Sequence, residues 1–387
     1  MKRIHAVVMM ALLGASLGAG PVYYEPAAYT GEAIERAIAN AYRDIRGRVF
    51  LPGGTYVVEK TIVLNGLGPM MIEGASSGSV FQEWNHASSV RLEWHGPKDQ
   101  PMIRLDTLGL DFRNILLDGR GAASHGVLLV NNPQPGSGVN RLSDMSLTNF
   151  TVACFQAATS NQDLNCADSF FDRVQFSRSP SGFKSMTPQS VNNQFIGCTF
   201  GMLECALDIQ EGGAVTVVGQ GASMCDLLVR VRMGGPNVGA VNIDSMKIEN
   251  SGYKRRTMAL VDARAVGPSG KTDVMWGCQI NIRGLWMGRG ADVDAPDDLP
   301  PLFRLGPGAQ VNLEGGAFRP CGGNGQGSFA DLEGNEIAHP LLRAPASIWF
   351  GRVDPTTFRL NGPGRIDVLP MEHMGKPGEA LRIDNSK

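Results

Sequence analysis

The chain has 387 residues, 43% of them hydrophobic, with 49 Gly and 35 Lys+Arg set against 37 Asp+Glu. That charge balance leaves no strongly basic surface of the kind nucleic acid recognition requires, so no nucleic-acid partner is expected. Seven cysteines without CxxC spacing give neither a zinc signature nor a disulfide framework; they read as small buried hydrophobes, with one or two disulfides left open.

Residues 1–20 begin with Lys2 and Arg3, continue in an apolar stretch from Ala6 and end in small residues. This segment looks like a secretory signal peptide, too short for a comfortable membrane span. The alternative is a retained apolar segment that packs within an assembly. Residues 21–46 are a lead-in and a short amphipathic helix: Thr30 is the expected N-cap, Glu32 an acid in the first turn, and Ala33, Ile34, Ala37, Ile38 and Ala41 share one face.

Next comes Val49-Phe50-Leu51-Pro52-Gly53-Gly54-Thr55-Tyr56-Val57-Val58, followed by Ile62-Val63-Leu64. Between 74 and 101 the pattern is interrupted by Ser/Gly turns and by a segment carrying Trp84. Such excursions shape binding grooves, which makes Trp84 and Trp94 candidates for stacking on a sugar, with packing on the wall as the plainer reading.

From 112 onward an apolar skeleton at positions 0, 3 and 5 repeats: Phe112/Ile115/Leu117, Leu142/Met145/Leu147, Phe171/Val174/Phe176, Phe195/Cys198/Phe200, then degraded at Val217, and again at Ile243, Ile282 and Leu313. A second beat follows at Phe155, Phe183, Leu207 and Val229. Successive repeats start 30, 29, 24, 22 and 26 residues apart, which is a solenoid period. Short alternating runs rich in Val, Ile, Phe and Thr, broken by Gly, Asn and Asp, select strands over helices. The expected fold class is therefore all-β: a β-solenoid over 47–320, which the resemblance described next makes a right-handed parallel β-helix, with the N-terminal helix as its cap and terminal rungs and a C-terminal cap over 321–387.

The helix, the strand reading V-F-L-P-G-G-T-Y-V-V and the following I-V-L resemble the opening of the pectate lyase superfamily, the single-stranded right-handed parallel β-helices. The opening motif spans about 35 residues and the rung pattern extends the likeness to about residue 320. The resemblance implies a β-helix and a polysaccharide ligand, since the family holds secreted polysaccharide lyases, hydrolases and epimerases as well as phage tailspikes.

Strand alternation gives the second beat a facing. With Phe155, Phe183, Leu207 and Val229 inward, Gln156, Lys184, Asp208 and Arg230 point out in one row on rungs ~4.8 Å apart. The candidate catalytic residues are Asp208, Glu204, Lys184 and Arg230, and the candidate substrate contacts are Gln156, Trp84 and Trp94. Hydrolysis of a glycosidic bond needs two carboxyl groups ~5–9.5 Å apart, for which Glu204, Glu211, Asp163 and Asp168 are the candidates beside Asp208. Elimination from a uronate needs a base for the C5 proton and a cation for the carboxylate, roles open to Lys184 and Arg230. An exposed ion row of little energetic consequence is the competing reading.

Other motifs carry no chemistry. Gly74-Ala75-Ser76-Ser77-Gly78 fits G-x-S-x-G but no helix follows, so it is a turn. Gly270-Lys271-Thr272 lacks the first glycine of a P-loop, because Ala265 stands there. His125 is isolated and reads as a surface or turn histidine. The acidic stretch 292–298 offers oxygen ligands of the type Ca²⁺ takes but not the glycine spacing of a calcium loop; it reads as a solvated loop, with Ca²⁺ binding left open as the alternative and no other cofactor expected. Three functions stand open: an exported polysaccharide lyase or hydrolase, secreted or periplasmic; a virion spike that binds host cell-surface glycan with or without depolymerase activity, usually a homotrimer; and a purely structural surface protein.

Overall fold

In the computed structural model the described residues are 21–44, 47–65, 69–76, 89–106, 109–130, 140–160, 166–219, 221–232, 240–249, 259–266, 272–273, 275, 278–288, 301–319, 328–334, 338–344, 348–350, 357–361, 364–368 and 383–384. Trp84, Asp163, Gln220, Cys321 and the stretch 292–298 lie outside them.

Each rung is a triangle of three short strands. One rung runs Ser169–Asp172 on a first face, Gln175–Ser177 on a second and Ser181–Met186 on a third, and the next repeats it as Asn193–Ile196, Thr199–Gly201 and Cys205–Glu211. Strands on a given face pair in parallel with those directly above and below, from Gly47–Leu51 to Arg365–Val368 on the first face. The third face is a 12-stranded parallel sheet. The chain is a parallel β-helix.

The 0, 3, 5 spacing has a backbone cause. Between the first and second faces one residue adopts the left-handed conformation: Asn114, Asp144, Arg173, Gly197, Gly219, Ser245, Gly284 and Gly315, all with φ between 51° and 72°. That single residue turns the corner and resets the strand alternation, so an inward residue is followed by the next inward residue three positions later. In Gln279–Gly288 and Gln310–Arg319 one strand runs through both faces.

The internal column forms as the spacing predicts. Phe112, Leu142, Phe171, Phe195, Val217, Ile243 and Ile282 follow one another in register, and none is more than 3% exposed. A parallel column runs Leu117, Leu147, Phe176, Phe200, Ala222 and Ile248 on the second face. The described cysteines are buried free thiols: Cys154, Cys166, Cys198, Cys205, Cys225 and Cys278.

The helix spans Gly31–Arg43, capped by the Thr30 hydroxyl, which accepts from the Ala33 N–H at 3.2 Å. Its buried face, Ala33, Ile34, Ala37, Ile38 and Ala41, closes the N-terminal end of the core. A short strand missed in the sequence, Val22–Tyr24, pairs in parallel with Gly47–Leu51 beside it. At three residues it carries too little periodicity to read.

Two expectations are corrected. Trp94 is 1% exposed: it shares the inward phase of Val90 and Leu92, and its indole N–H donates to the Pro97 carbonyl at 3.1 Å, so it offers no ring face to a ligand. Trp286 on the second face is exposed instead, with Lys247 Nζ 5.4 Å from its ring centroid. His125 is not a surface histidine but a half-buried one with both ring nitrogens engaged.

Candidate functional site: the outer row of the third face

Phe155, Phe183, Leu207, Val229 and Val261 point into the core at successive rungs, and the residue after each points out. The outward row therefore reads Gln156, Lys184, Asp208, Arg230, Asp262, and the register carries it on through Arg304 and Asp331. From Lys184 onward the sign of charge alternates at every rung. The structure brings Lys184, Asp208 and Arg230 side by side, as the second beat implies, and Gln156 beside Lys184.

Contrary to the expected open row, its members are covered: Asp208 is 4% exposed and Gln156 7%. The strands bend where they begin. Ala206 and Leu228 join the main core while Cys205, Leu227 and Ala259 pack together in a separate outer cluster, so residues either side of the bend share the outer surface. This lets Ser181 Oγ donate to Asp208 Oδ2 at 3.1 Å. Gln210 Nε2 donates to Oδ1 at 2.5 Å and Arg230 Nη1 to Oδ2 at 3.4 Å. All the hydrogen bonds around Asp208 are donated to it, which suits an orienting acceptor better than a proton donor.

Asp262 is the anchor of the row. Arg232 and Arg264 each grip it with a two-pronged fork, at 3.0 and 2.9 Å and at 2.7 and 2.9 Å. Burial pushes its pKa up, but the hydrogen bonds from Arg264 and Arg232 outweigh burial and hold the carboxyl far below the usual carboxylate range.

The cations are less completely matched. Lys184 forms no ion pair with any described residue. Arg230 has only its long contact to Asp208, its side chain is 30% exposed, and its buried Nε has no partner. Across these rungs Lys184, Arg230, Arg232 and Arg264 stand beside Asp208 and Asp262, and Arg264 also lies within the field of Glu333 and Asp331.

At the head of the row His125 Nε2 lies 2.9 Å from Gln156 Oε1, and Nδ1 lies 2.9 Å from Ser124 Oγ. Gln156 Nε2 donates to the Ala158 carbonyl at 2.8 Å, which fixes its amide and makes Oε1 the acceptor. The imidazole therefore carries its proton on Nε2. Burial lowers the His125 pKa to about 4, with Lys184 adding repulsion and the Gln156 hydrogen bond opposing both.

The remaining predicted carboxylates that the structure describes are Glu204, Asp168 and Glu211; Asp163 lies outside the described residues. Glu204 is exposed in the turn before Cys205–Glu211. Asp168 is a left-handed residue at the approach to the first face, where it accepts from Asn192 at 3.1 Å. At Glu211 the backbone carbonyl accepts from Ser185 Oγ. Among the described residues no cluster of His, Cys, Asp and Glu could hold a metal ion. No described helix is long and apolar enough to cross a membrane.

No family model matches the chain, and no curated protein matches it in sequence. Among solved structures, DFA-IIIase from Arthrobacter chlorophenolicus A6 in complex with GF2 superposes with a TM-score of 0.53 at 11% identity, covering 93% of this chain and 91% of that one. A mutant of the same protein in complex with DFA-III gives the same TM-score, 0.53, identity, 11%, and coverage, 93% and 91%. The gp42 tailspike of Acinetobacter phage vb_AbaP_AS12 follows at a TM-score of 0.44 and 11% identity over 88% of this chain and 59% of that one, too low a score to carry an argument. At these identities the DFA-IIIase likeness establishes the shared parallel β-helix and nothing of the reaction.

Proposed function

We propose that this protein is a glycan-binding β-helix whose ligand lies along the outer row of the third face, and that the ligand is an acidic polysaccharide. The observation that carries the reading is the mismatch of charge in that row: Lys184 without an ion pair among the described residues, and Arg230 with an unpartnered buried Nε and one long contact. A guanidinium recognises a carboxylate through paired N–H donors, and a uronate repeat supplies such carboxylates at regular spacing. The likeness to DFA-IIIase, solved in complex with GF2 and with DFA-III, supports a glycan as the ligand class.

Elimination is the reaction this row would support. Arg230, oriented by Asp208, holds the uronate carboxylate; Lys184, after giving up its own proton to solvent on binding, accepts the C5 proton as the neutral amine; the C4–O bond breaks with its electron pair leaving on oxygen, which takes a proton from water, and a C4=C5 double bond remains. Hydrolysis would need a second carboxyl beside Asp208. We assign the protein to an exported role on the signal-like character of residues 1–20.

Affinity electrophoresis in gels containing polygalacturonate, alginate or dextran tests the binding. Retardation in an acidic gel but not in dextran, reduced in Asp208→Asn, supports the reading; equal mobility in every gel removes it. Growth of ultraviolet absorbance from an unsaturated product separates a lyase from a binding protein.

A further inference from the structure

Inside the core, where the third face turns into the first, three inward polar residues interrupt an apolar column. Leu110, Asn140, Ser169, Asn193 and Val215 occupy successive rungs at one position: Asn140 pairs in register with Ser169 and Asn193 with Val215, while Ser169 and Asn193 immediately precede the paired Phe170 and Gln194. The three polar residues are at most 1% exposed, and Leu110 and Val215 close the column at either end.

Each of the three has an atom without a hydrogen-bond partner among the described residues: Asn140 Nδ2, Ser169 Oγ and Asn193 Oδ1. A buried polar atom left in that condition costs roughly 1–3 kcal/mol, so a stack of them needs a ligand. The orientations follow from the remaining contacts. Asn140 Oδ1 accepts from the Leu110 backbone N–H at 3.3 Å, and a backbone N–H only donates, so the free atom of Asn140 is a donor. Asn193 Nδ2 donates to Ser190 Oγ at 3.1 Å, so its free atom is an acceptor. Between a donor and an acceptor stands a hydroxyl, which does both.

We propose that this column binds internal water, with one molecule between Asn140 and Ser169 and one between Ser169 and Asn193. Side chains on rungs ~4.8 Å apart can bond directly, as Ser177 and Thr148 do at 2.9 Å; the free atoms of these three do not, and the same spacing suits a bridging water. The chain of bonds closes without a conflict. Asn140 Nδ2–H donates to the first water, which donates to Ser169 Oγ; the Ser169 hydroxyl donates to the second water, which donates to Asn193 Oδ1. A cation is a poor fit because the Asn140 end presents N–H, and an apolar ligand would satisfy none of the three.

Ser169→Ala decides by the sign of its effect. If Ser169 Oγ links two waters, its removal strands the groups on both sides and the melting temperature falls; an otherwise unpartnered hydroxyl would give a rise on removal, and a rise overturns the proposal. The triple variant Asn140→Leu/Ser169→Ala/Asn193→Leu removes the need for water, and if it folds its melting temperature should recover relative to Ser169→Ala. A crystal structure of the unmodified chain provides the independent readout. Two density peaks within hydrogen-bonding distance of these atoms support the assignment, whereas side chains rotated onto protein partners with no density between them overturn it.

Discussion

Phe171 and Phe195 stack face to face from successive rungs, with ring centroids 4.5 Å apart and planes within 9°. Phe176 and Phe200 repeat the arrangement on the next face at 5.1 Å and 9°. Phe183 lies edge-on to Phe195 at 5.3 Å, so all three faces meet in one aromatic centre. Replacing Phe195 by Ala leaves a cavity that the neighbouring rungs hold open, because their backbones are pinned by parallel pairing. The expected loss is ~3–5 kcal/mol by chemical denaturation. A loss below ~1 kcal/mol would mean the column can collapse, contrary to this packing.

The corner between the first and second faces predicts a different sensitivity. Gly284 has φ 57°, and a Cβ there would meet nothing closer than 3.8 Å, so the restriction is conformational and not steric crowding. Gly284→Val should cost ~1–2 kcal/mol while Gly284→Asn stays near neutral, since Asn tolerates this backbone region. Equal losses in urea melts of the two variants would contradict a left-handed corner.

His125 makes stability depend on pH. Its pKa is lowered from 6.5 to about 4 in the folded chain. Between those values the unfolded chain binds more protons, so the contribution is fully present above 6.5 and is lost as pH falls toward 4. The shift corresponds to roughly 3 kcal/mol at most. Denaturation midpoints at neutral and mildly acid pH should converge in His125→Gln relative to wild type; parallel curves for the two proteins would remove His125 as the cause.

At the N-terminal end, Thr30→Ala should cost ~1 kcal/mol by freeing the Ala33 N–H. A chain beginning at Gly47 would lose both the helix and the strand Val22–Tyr24, expose the edge of Gly47–Leu51, and self-associate. Light scattering reads this directly, and a monomeric truncation with an unchanged melting temperature would deny the helix its capping role.

How much of this was legible in the sequence depends on the spacing. The inward columns were readable because Phe171, Phe195 and their equivalents recur at nearly constant intervals, so backbone register and sequence shift coincide. The corner residues were not, since Asn, Asp, Arg, Ser and Gly share the left-handed backbone without sharing a side chain. Trp94 was misassigned although Val90 and Leu92 already gave its phase. The row Lys184, Asp208, Arg230 was visible where rungs are short, but insertions before Asp262 and Arg304 hid its continuation. Burial of His125 and Asp208 depends on neighbours from other rungs, which no local pattern encodes.

The charge mismatch in the third face is tested most directly by calorimetric titration of tetragalacturonate into wild type and into Lys184→Gln/Arg230→Gln. The wild type should bind it, more weakly as salt is raised, and uncharged maltotetraose should not compete. Loss of two charge-assisted contacts should weaken binding by about a hundredfold or more. Equal affinity in wild type and double variant, with both folded, would contradict the assignment of this row to an acidic glycan.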